Sequence, residues 1–204
     1  MPRERPKYHH GDLRAALVRA ADEIIAEAGI EGFSLRAAAA RAGVSPGAPA
    51  HHFGSAKGLL TEVAALAFER SGQAIEEAGR SGEPAADLRA LGLAFVRFAL
   101  ENPGHFRLMF RNDLIDRNSP RYREASNEPG MRLDRAIAAY QGRPERDPKD
   151  FEDAVDTFGV LATLQGIANL VVADKLGHLF GNVAPQEFLE RDLPRVLERL
   201  YPNP

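Results

Sequence analysis

The sequence FSLRAAAARAGVSPGAPAHHFGSAKGLL, residues 33–60, decides the fold. It predicts a helix over Leu35–Ala42, because Ser34 can cap the first turn and alanine is the strongest helix former. Gly43 ends that helix, and a third helix is expected from Pro46 to about His52. Two short helices joined by a tight, glycine-containing turn have the spacing of a helix-turn-helix.

The residues around this turn support that interpretation. Ser45 is expected to cap the third helix with Pro46 at its first position, where the missing N–H costs nothing. Val44 is expected to fill the gap between the two helices. Ser55 can open a fourth, longer helix that runs to about Gly79. An alanine-rich helical corner without any role in nucleic-acid binding is the alternative interpretation.

The rest of the chain also has a helical pattern. Apolar residues from Asp12 to Ala28 recur with the 3.6-residue period of an amphipathic helix. No segment shows the alternation of a strand bounded by hairpin turns. We therefore expect an all-α fold of about nine helices. The later ones are expected to start near Pro84, Asn102-Pro103, Pro120 or Glu128-Pro129, Asp147-Pro148 and Pro185.

Composition narrows the class of protein. The 204 residues are 44% hydrophobic and 27% charged, which is typical of a globular chain. There is no cysteine, which excludes disulfides, thiolate metal sites and cysteine nucleophiles. The chain shows no order of residues typical of a catalytic triad and no glycine-rich phosphate loop, so we do not expect an enzyme or a cofactor.

Charge is uneven along the chain. Residues 1–60 have a balance of +2 and contain four of the six histidines, whereas the remaining residues have a balance of −5. A basic head on an acidic body suggests that the head faces a polyanion. We expect no signal peptide and no membrane span, although residues 157–173 form an uncharged run. The expected location is the cytoplasm.

Taken together, these residues resemble the TetR family of transcriptional regulators. The motif G-V-S-x-G-x-x-x-x-H-F-x-S, followed by a lysine and two leucines, is matched by Gly43, Val44, Ser45, Gly47, His52, Phe53, Ser55, Lys57, Leu59 and Leu60. The preceding LRAALVRAADEIIAEAGIEGFSL also resembles the family's first helix. Further along, LGLAFVRFALENPGHFRLMFR resembles the ligand-binding domain of one subgroup.

The resemblance implies two domains and a function. Residues 1–58 would be a DNA-binding head, with the helix-turn-helix at about 34–53, and residues 59–204 a ligand-binding and dimerisation body. The implied function is a homodimeric repressor, released from a double-stranded operator by a small molecule whose identity the sequence does not give. The alternative is a helical ligand-binding or catalytic protein that has lost DNA binding.

Two positions keep that alternative open. Many family members have leucine and then tyrosine on the recognition helix, where this chain has Pro49 and Ala50. The usual tyrosine contributes a phosphate contact, which the resemblance therefore does not imply for this chain. The family's lysine at the start of the fourth helix falls at Ala56, but the adjacent Lys57 can reach the same phosphate. We expect DNA binding with an unusual sequence preference.

The predicted DNA contacts fall into two groups. Serines at helix starts and nearby cations are expected to bind phosphates: Ser34, Arg36, Ser45, Lys57 and the arm Arg3-Arg5-Lys7. The third helix is expected to bring its small residues nearest the bases: Pro46, Gly47, Ala48 and His51. Leu35 and His52 complete the set, and in the family pattern the latter packs at the end of the third helix.

The paired histidines do not predict a metal site. His9-His10 and His51-His52 are adjacent pairs, and neighbours on a helix point about 100° apart. Spacing of i,i+4 would suit a metal better. We therefore expect no metal.

A ligand pocket is expected in the body. Aromatic and sulfur-containing residues cluster around the ENPGHF turn, together with one histidine: Phe95, Phe98, His105, Phe106, Met109 and Phe110. Gln165 and Asn169 lie four residues apart on one helix face. An apolar cavity with a few polar groups is typical of a small-molecule site. An ordinary core, with the two amides bonded to neighbouring helices or across a dimer, is the alternative.

Two apolar helices predict assembly. The long helix expected from Pro148 to Lys175, around residues 159–173, and the last helix carry more apolar surface than one subunit can cover. In the last helix these residues are Phe188, Leu189, Val196, Leu197 and Leu200. We expect both helices to pair across a twofold axis as a four-helix bundle.

Overall fold

The computed structural model describes residues 10–79, 81–143 and 150–203, and all regular structure in those ranges is helical. The prediction of an all-α chain of about nine helices is confirmed, since nine of the eleven helices in the described residues have six residues or more. The helices are α1 (His10–Ala28), α2 (Leu35–Arg41), α3 (Ala48–Phe53), α4 (Ala56–Ala78), α5 (Pro84–Glu101), α6 (Pro103–Met109), α7 (Pro120–Tyr140), α8 (Phe151–Val172), α9 (Gly177–Phe180), α10 (Pro185–Glu187) and α11 (Leu193–Leu200).

The helix-turn-helix begins as the sequence predicts. The Ser34 hydroxyl accepts a hydrogen bond from the Ala37 amide at 3.0 Å and so caps α2. Gly43 ends α2 in the left-handed region, with φ of 68°, and the Val44 amide donates to the Ala39 carbonyl at 3.0 Å. These features form a Schellman motif, which satisfies the last carbonyls of α2.

The predicted start of the third helix is wrong by two residues. α3 begins at Ala48, with Gly47 as its N-cap, and the Ser45 carbonyl accepts from the Ala48 amide to close a turn. A helix that began at Pro46 would need the amide of Pro49 for its first hydrogen bond, and proline has none. Starting at Ala48 places Pro49 at the second position, where no intrahelical donor is required.

α4 connects the head, meaning α1 to α3, to the rest of the chain, which we call the body. It starts where predicted, because the Ser55 hydroxyl accepts from the Gly58 amide at 3.2 Å. Gly58 is required there for another reason, since a Cβ at this position would lie 2.1 Å from the Phe53 carbonyl oxygen. The close approach fixes α3 against the first turn of α4.

The body packs α4, α5, α7 and α8 side by side. Of the two starts expected for α7, the structure has the one at Pro120, so Pro129 falls inside the helix. Gly72 on α4 makes room for this proline, because a Cβ there would lie 3.1 Å from the Pro129 ring.

α8 starts later than predicted. Asp147 and Pro148, the expected start, lie outside the described residues, and the helix begins at Phe151 after Asp150. The Asp150 carboxylate accepts from the Asp153 amide at 3.1 Å, which makes Asp150 the cap. The helix ends at Val172, short of the expected Lys175.

The last helical segment contains a π turn whose cause is a proline. α10 runs into α11 through a π turn, Phe188–Asp192, in which the Leu193 amide donates to the Phe188 carbonyl. Pro194 has no N–H to continue the α-helical ladder at the next position, so the helix widens instead. The predicted apolar surface of this helix is largely wrong, because Phe188, Leu189 and Leu197 are buried within the protomer.

Candidate nucleic-acid interface and internal cavity

The predicted DNA contacts lie mostly on the outer surface of the head. Seven of them are exposed, and they are Ser34, Arg36, Ser45, Pro46, Gly47, His51 and Lys57. Leu35, Ala48 and His52 are half-buried. The Leu35 side chain packs against the core of the head, so its position is structural as well as close to the surface.

The unusual pair on α3 fits the fold. Pro49 is buried, in the place where the family pattern has leucine, so it provides the apolar contact expected of that position. Ala50 is exposed and offers only a methyl group where the family has a phosphate-binding tyrosine. The fold of α3 is therefore preserved, while Ala50 presents no polar group at its surface.

Ion pairing separates two kinds of cation on the head. Arg14 pairs with Glu62 at 2.6 Å, and Arg41 pairs with Glu27 at 2.5 Å. By contrast, Arg36 and Lys57 form no ion pair with any residue that the structure describes. These two cations lie at the first turns of α2 and α4, on either side of α3, where an external anion can reach them. Lys57 also lies close enough to the Asp113 carboxylate to help lower its pKa.

The positions of the acidic residues add information that the net charge of residues 1–60 does not give. Residues 33–61, which we call the acid-free segment, contain no aspartate or glutamate. This segment covers the whole helix-turn-helix and the first turn of α4. The absence of carboxylates from this segment lowers its electrostatic repulsion from phosphates. The predicted arm Arg3-Arg5-Lys7 lies outside the described residues.

The body contains a cavity of about 240 Å³ between α4, α5, α6, α7 and α8. Most of the side chains around it are apolar, and three are phenylalanines. The lining residues are Phe68, Ser71, Ile75, Leu91, Phe95, Met109, Phe110, Ser126, Pro129, Gly130, Leu133, Asp134, Thr157, Leu161 and Leu164.

Three of the predicted ligand residues line this cavity, namely Phe95, Met109 and Phe110. Phe106 lies behind them in the core, with ring centroids 5.8 Å from Phe95 and 5.5 Å from Phe110. Phe98 instead faces a groove between α4 and α5. The sequence pattern of α5 and α6 identifies the aromatic cluster. It does not show which of these side chains line the cavity and which, like Phe106, pack behind the lining residues.

The two predicted amides on α8 lie away from the cavity. Asn169 is exposed and Gln165 is half-buried, and neither lines the cavity. The Asn169 side chain donates to the Gln165 carbonyl of its own helix at 2.9 Å. A role for these two amides in a dimer interface, the alternative given above to ligand binding, therefore stays a prediction.

His105 lies between head and body rather than in the cavity. Its Nε2 is 2.8 Å from Asp22 Oδ1 on α1, and since a carboxylate can only accept, this nitrogen carries the hydrogen. Arg70 on α4 donates to both oxygens of the same carboxylate, at 2.9 and 2.6 Å. One carboxylate therefore joins α1, α4 and α6.

The electrostatics of Asp22 reflect these partners. Burial raises the pKa of Asp22, but the hydrogen bonds from His105 and Arg70 outweigh burial and hold the pKa below its ordinary value. The carboxylate is therefore charged in the folded protein near neutral pH.

We expect Asp22→Asn to lower the free energy of unfolding by about 2 kcal/mol near neutral pH, since hydrogen bonds to a charged group are lost. A lowered pKa stabilises the folded state above the unfolded pKa of about 4, and this contribution disappears as the pH falls through the folded pKa. The difference between wild type and variant should therefore shrink in acid. Urea unfolding at about pH 7 and about pH 3 measures it.

The matched control is Asp113→Asn. Hydrogen bonds from Arg111 lower the pKa of Asp113 to about 2, yet this pair is exposed. Exposed pairs contribute little to stability, so we expect a smaller change than at Asp22. Equal losses for both variants would show that the buried cluster has no special role.

α6 spans the distance between the head and the cavity. At its start, Gly104 lies so close to α1 that a Cβ would be 2.3 Å from the Ile25 carbonyl oxygen. At its end, Met109 and Phe110 line the cavity. A seven-residue helix thus contacts the head with one end and the cavity with the other.

Several lining residues have no signal in the sequence. Asp134 and Thr157 lie on α7 and α8, and the Thr157 hydroxyl donates to Asp134 Oδ1 at 2.7 Å. Pro129 is interpretable from sequence only as a possible helix start. The sequence does not show which face of α7 lines the cavity, because the helix is mostly polar along its length.

The fold and this surface define a class of protein: a DNA-binding transcriptional regulator with a helix-turn-helix head and a cavity in its helical body. Residues 17–63 match the model of the bacterial regulatory proteins of the tetR family. Residues 88–196, more than half of the chain, match the model of the tetracyclin repressor-like C-terminal domain. The chain therefore belongs to the TetR family, whose members bind operators and small molecules and work as dimers.

Solved structures show the same fold. A protein with unknown function from Rhodococcus sp. RHA1 is 29% identical, with 97% of this chain and 99% of that chain covered and a TM-score of 0.69. PfmR, a TetR family transcriptional regulator from Thermus thermophilus, is 23% identical, with 94% and 96% covered and a TM-score of 0.61. A TetR family member from Streptomyces coelicolor is 22% identical, with 94% and 99% covered and a TM-score of 0.59. No curated protein matches the chain significantly.

Proposed function

We propose that this protein is a homodimeric repressor that leaves its operator when a small molecule occupies the cavity. The single observation that carries the proposal is the position of α6, which contacts the head at Gly104 and the cavity at Met109. Residues 1–58 serve as the DNA-binding head and residues 59–204 as the ligand-binding and dimerisation body. A regulator that binds operators works in the cytoplasm, where DNA is accessible.

The acid-free segment supports DNA binding through the phosphate backbone. Arg36, Lys57 and the serines at the starts of α2 and α4 present donors and positive charge toward a duplex. The exposed residues of α3 are small or carry one imidazole, which suits apolar contact with thymine methyls more than bidentate base contacts. A large share of the affinity is therefore electrostatic and falls steeply with salt.

We expect Lys57→Ala to weaken binding to all DNA sequences about equally and to reduce the slope of log affinity against log salt by roughly one. Fluorescence anisotropy with a specific and a random duplex, over a series of salt concentrations, measures both quantities. The matched control is Lys175→Ala, an exposed lysine far along the chain beyond α8. A changed base preference with an unchanged salt slope would contradict the phosphate contact.

Dimerisation is supported by the outward face of α8. Phe151 and Phe158 are 75% and 73% exposed, and Leu170 is 42% exposed. Of the exposed residues of α8, only Glu152 is charged. Small residues follow one another along the same face, so two copies of the helix can approach closely. They are Gly159, Ala162 and Gly166, and a Cβ at either glycine meets nothing within 4 Å.

The same helix is the one candidate membrane span among the described residues. It is long and apolar enough to cross a bilayer, and only a small share of its most apolar stretch is buried within the protomer. In a TetR-family chain this exposed apolar face is the expected surface of a partner subunit. We therefore assign it to the homodimer rather than to a lipid bilayer.

The rival function is a helical ligand-binding or catalytic protein without DNA binding. The exposed Ala50 favours it, because a phosphate contact of the family is missing there. Regulators of this family are generally not enzymes. Binding to a pool of randomised duplexes separates the two functions, since the rival binds none of them at low salt.

A further inference from the structure

We infer that the cavity selects a neutral molecule with an apolar body and one polar oxygen, and that the Ser71 hydroxyl binds this oxygen. The inference rests on the proposed function, because it takes the cavity to be the effector site. Ser71 lies on α4 and lines the cavity. Its side chain is only 2% exposed, so it is shielded from bulk solvent.

The position of Ser71 on α4 directs its side chain toward the cavity. Phe68 lies three residues before it and Ile75 four residues after it, and both also line the cavity. Residues at these spacings share one face of a helix, so the three side chains form a single wall. Ser71 is thus the polar member of an otherwise apolar face of α4.

The Ser71 hydroxyl forms no hydrogen bond with any residue that the structure describes. A hydroxyl inside a helix can bond the carbonyl four residues earlier, as Thr61 does with Lys57 at 2.7 Å. A buried hydroxyl that lacks such a bond is unfavourable. A ligand oxygen in the cavity would supply the missing partner.

The other polar side chains of the wall have protein partners. The Thr157 hydroxyl donates to Asp134, and the Ser126 hydroxyl donates to the Arg123 carbonyl at 3.4 Å. Among the described lining residues, Ser71 is therefore the group that can receive the polar atom of a ligand.

The same wall favours a neutral ligand over an ion. No lysine, arginine or histidine is among the described residues that line the cavity, so a ligand anion would find no opposite charge there. Asp134 is already engaged with the protein, so a ligand cation would have to compete with the existing partners. Because an ion also loses its hydration in an apolar site, either sign of charge should weaken binding.

The volume limits the size of the ligand. Drug-sized sites have volumes from about 300 Å³, whereas an apolar cavity of about 150 Å³ accepts benzene. A cavity of about 240 Å³ lies between these values and fits one ring with a short chain. The simplest probe is 2-phenylethanol, and n-propylbenzene has the same shape without the hydroxyl. Phenylacetate and 2-phenylethylammonium are the charged counterparts.

The test is calorimetric titration of the full-length protein with these four probes near neutral pH. We expect Ser71→Ala to weaken the binding of 2-phenylethanol by about three- to tenfold, on the scale of one neutral hydrogen bond, and to leave n-propylbenzene unchanged. The matched control Ser126→Ala removes a lining hydroxyl that already has a protein partner, and it should retain the wild-type affinity for both probes. The two ions should bind about tenfold or more weakly than the alcohol.

Three results would overturn the inference: an ion that binds the wild-type protein as tightly as the alcohol, a Ser71→Ala protein that retains wild-type affinity for the alcohol or loses affinity for both neutral probes equally, or no binding of the alcohol at millimolar concentration. The wild-type titrations give the answer on charge even where a variant fails to fold. Urea unfolding adds an independent check, because Ser71→Ala loses no described hydrogen bond and should unfold at the same urea concentration as the wild type or a higher one. A lower midpoint would reveal a protein partner of Ser71 and contradict its assignment to the ligand.

Operator binding in the presence of each probe separates failure of the inference from failure of the proposed function. An alcohol that binds through Ser71 without changing operator affinity contradicts the proposed switch. Operator release by a charged probe alone instead contradicts the preference for a neutral ligand.

Discussion

Gly104→Ala is expected to reduce both stability and operator binding. The added Cβ would lie 2.3 Å from the Ile25 carbonyl oxygen, and this atom belongs to the backbone of α1, which cannot move aside as a flexible side chain can. Relieving the overlap requires α6 to shift away from the head, and overpacking of this kind typically costs about 1–3 kcal/mol. Because His105 follows directly, the shift also disturbs its bond to Asp22.

The same change should alter DNA binding at a distance from the interface. If α6 sets the position of the head, operator affinity should fall by about tenfold, within the usual range of coupling between sites. Urea unfolding and anisotropy on the same variant measure both effects. Gly130→Ala is the control without an overlap, since a Cβ there meets nothing within 4 Å. Because Gly130 lines the cavity, the comparison is made without ligand, where the variant should gain helix propensity and keep its operator binding. Unchanged DNA binding in a destabilised Gly104→Ala protein would remove α6 from the mechanism.

Ala162→Glu should convert the protein to a folded monomer. Ala162 lies in the middle of the exposed apolar face of α8, where the partner's copy of the helix is expected to approach. A buried glutamate without a partner is strongly unfavourable, so the two subunits should separate. A monomer holds only one head, and losing the linked second head should lower operator affinity by roughly 10²–10⁴-fold.

Sedimentation at micromolar concentration and operator anisotropy measure the two consequences. The control is Ala139→Glu, which places the same side chain at an exposed position of α7. This variant should remain a dimer and bind normally. A dimeric Ala162→Glu protein, or a wild-type monomer, would contradict the assignment of α8 to the subunit interface.

Local sequence signals are sufficient for most of the head. Caps and glycines act over a few residues, so Ser34, Gly43 and Ser55 can be assigned to helix ends directly, and hydrogen bonds confirm both serine caps. The sequence pattern places the start of α3 two residues early, because Pro46 also suits the first position of a helix. The actual start of α3 is at Ala48, because Pro49 has no N–H and must lie in the first turn, where no intrahelical donor is required.

The body is harder to predict because its site depends on contacts between distant segments. The sequence locates the aromatic cluster around the ENPGHF turn, but which rings face the cavity depends on how α6 packs against α4 and α5. His105 lies close to the ligand residues in sequence, yet its partner Asp22 lies 83 residues away and holds it outside the cavity. Asp134 carries no pattern at all, since it lies among the charges of a polar helix.

The central claim is that two heads of one dimer read a single operator, and selection from randomised duplexes tests it most directly. We predict enrichment of a near-palindromic sequence whose half-sites lie about 34–36 Å apart, or a multiple of one DNA turn, bound by one dimer with a strong salt dependence. Failure to enrich any sequence, together with no binding to random DNA at low salt, would contradict the claim and leave a helical ligand-binding protein.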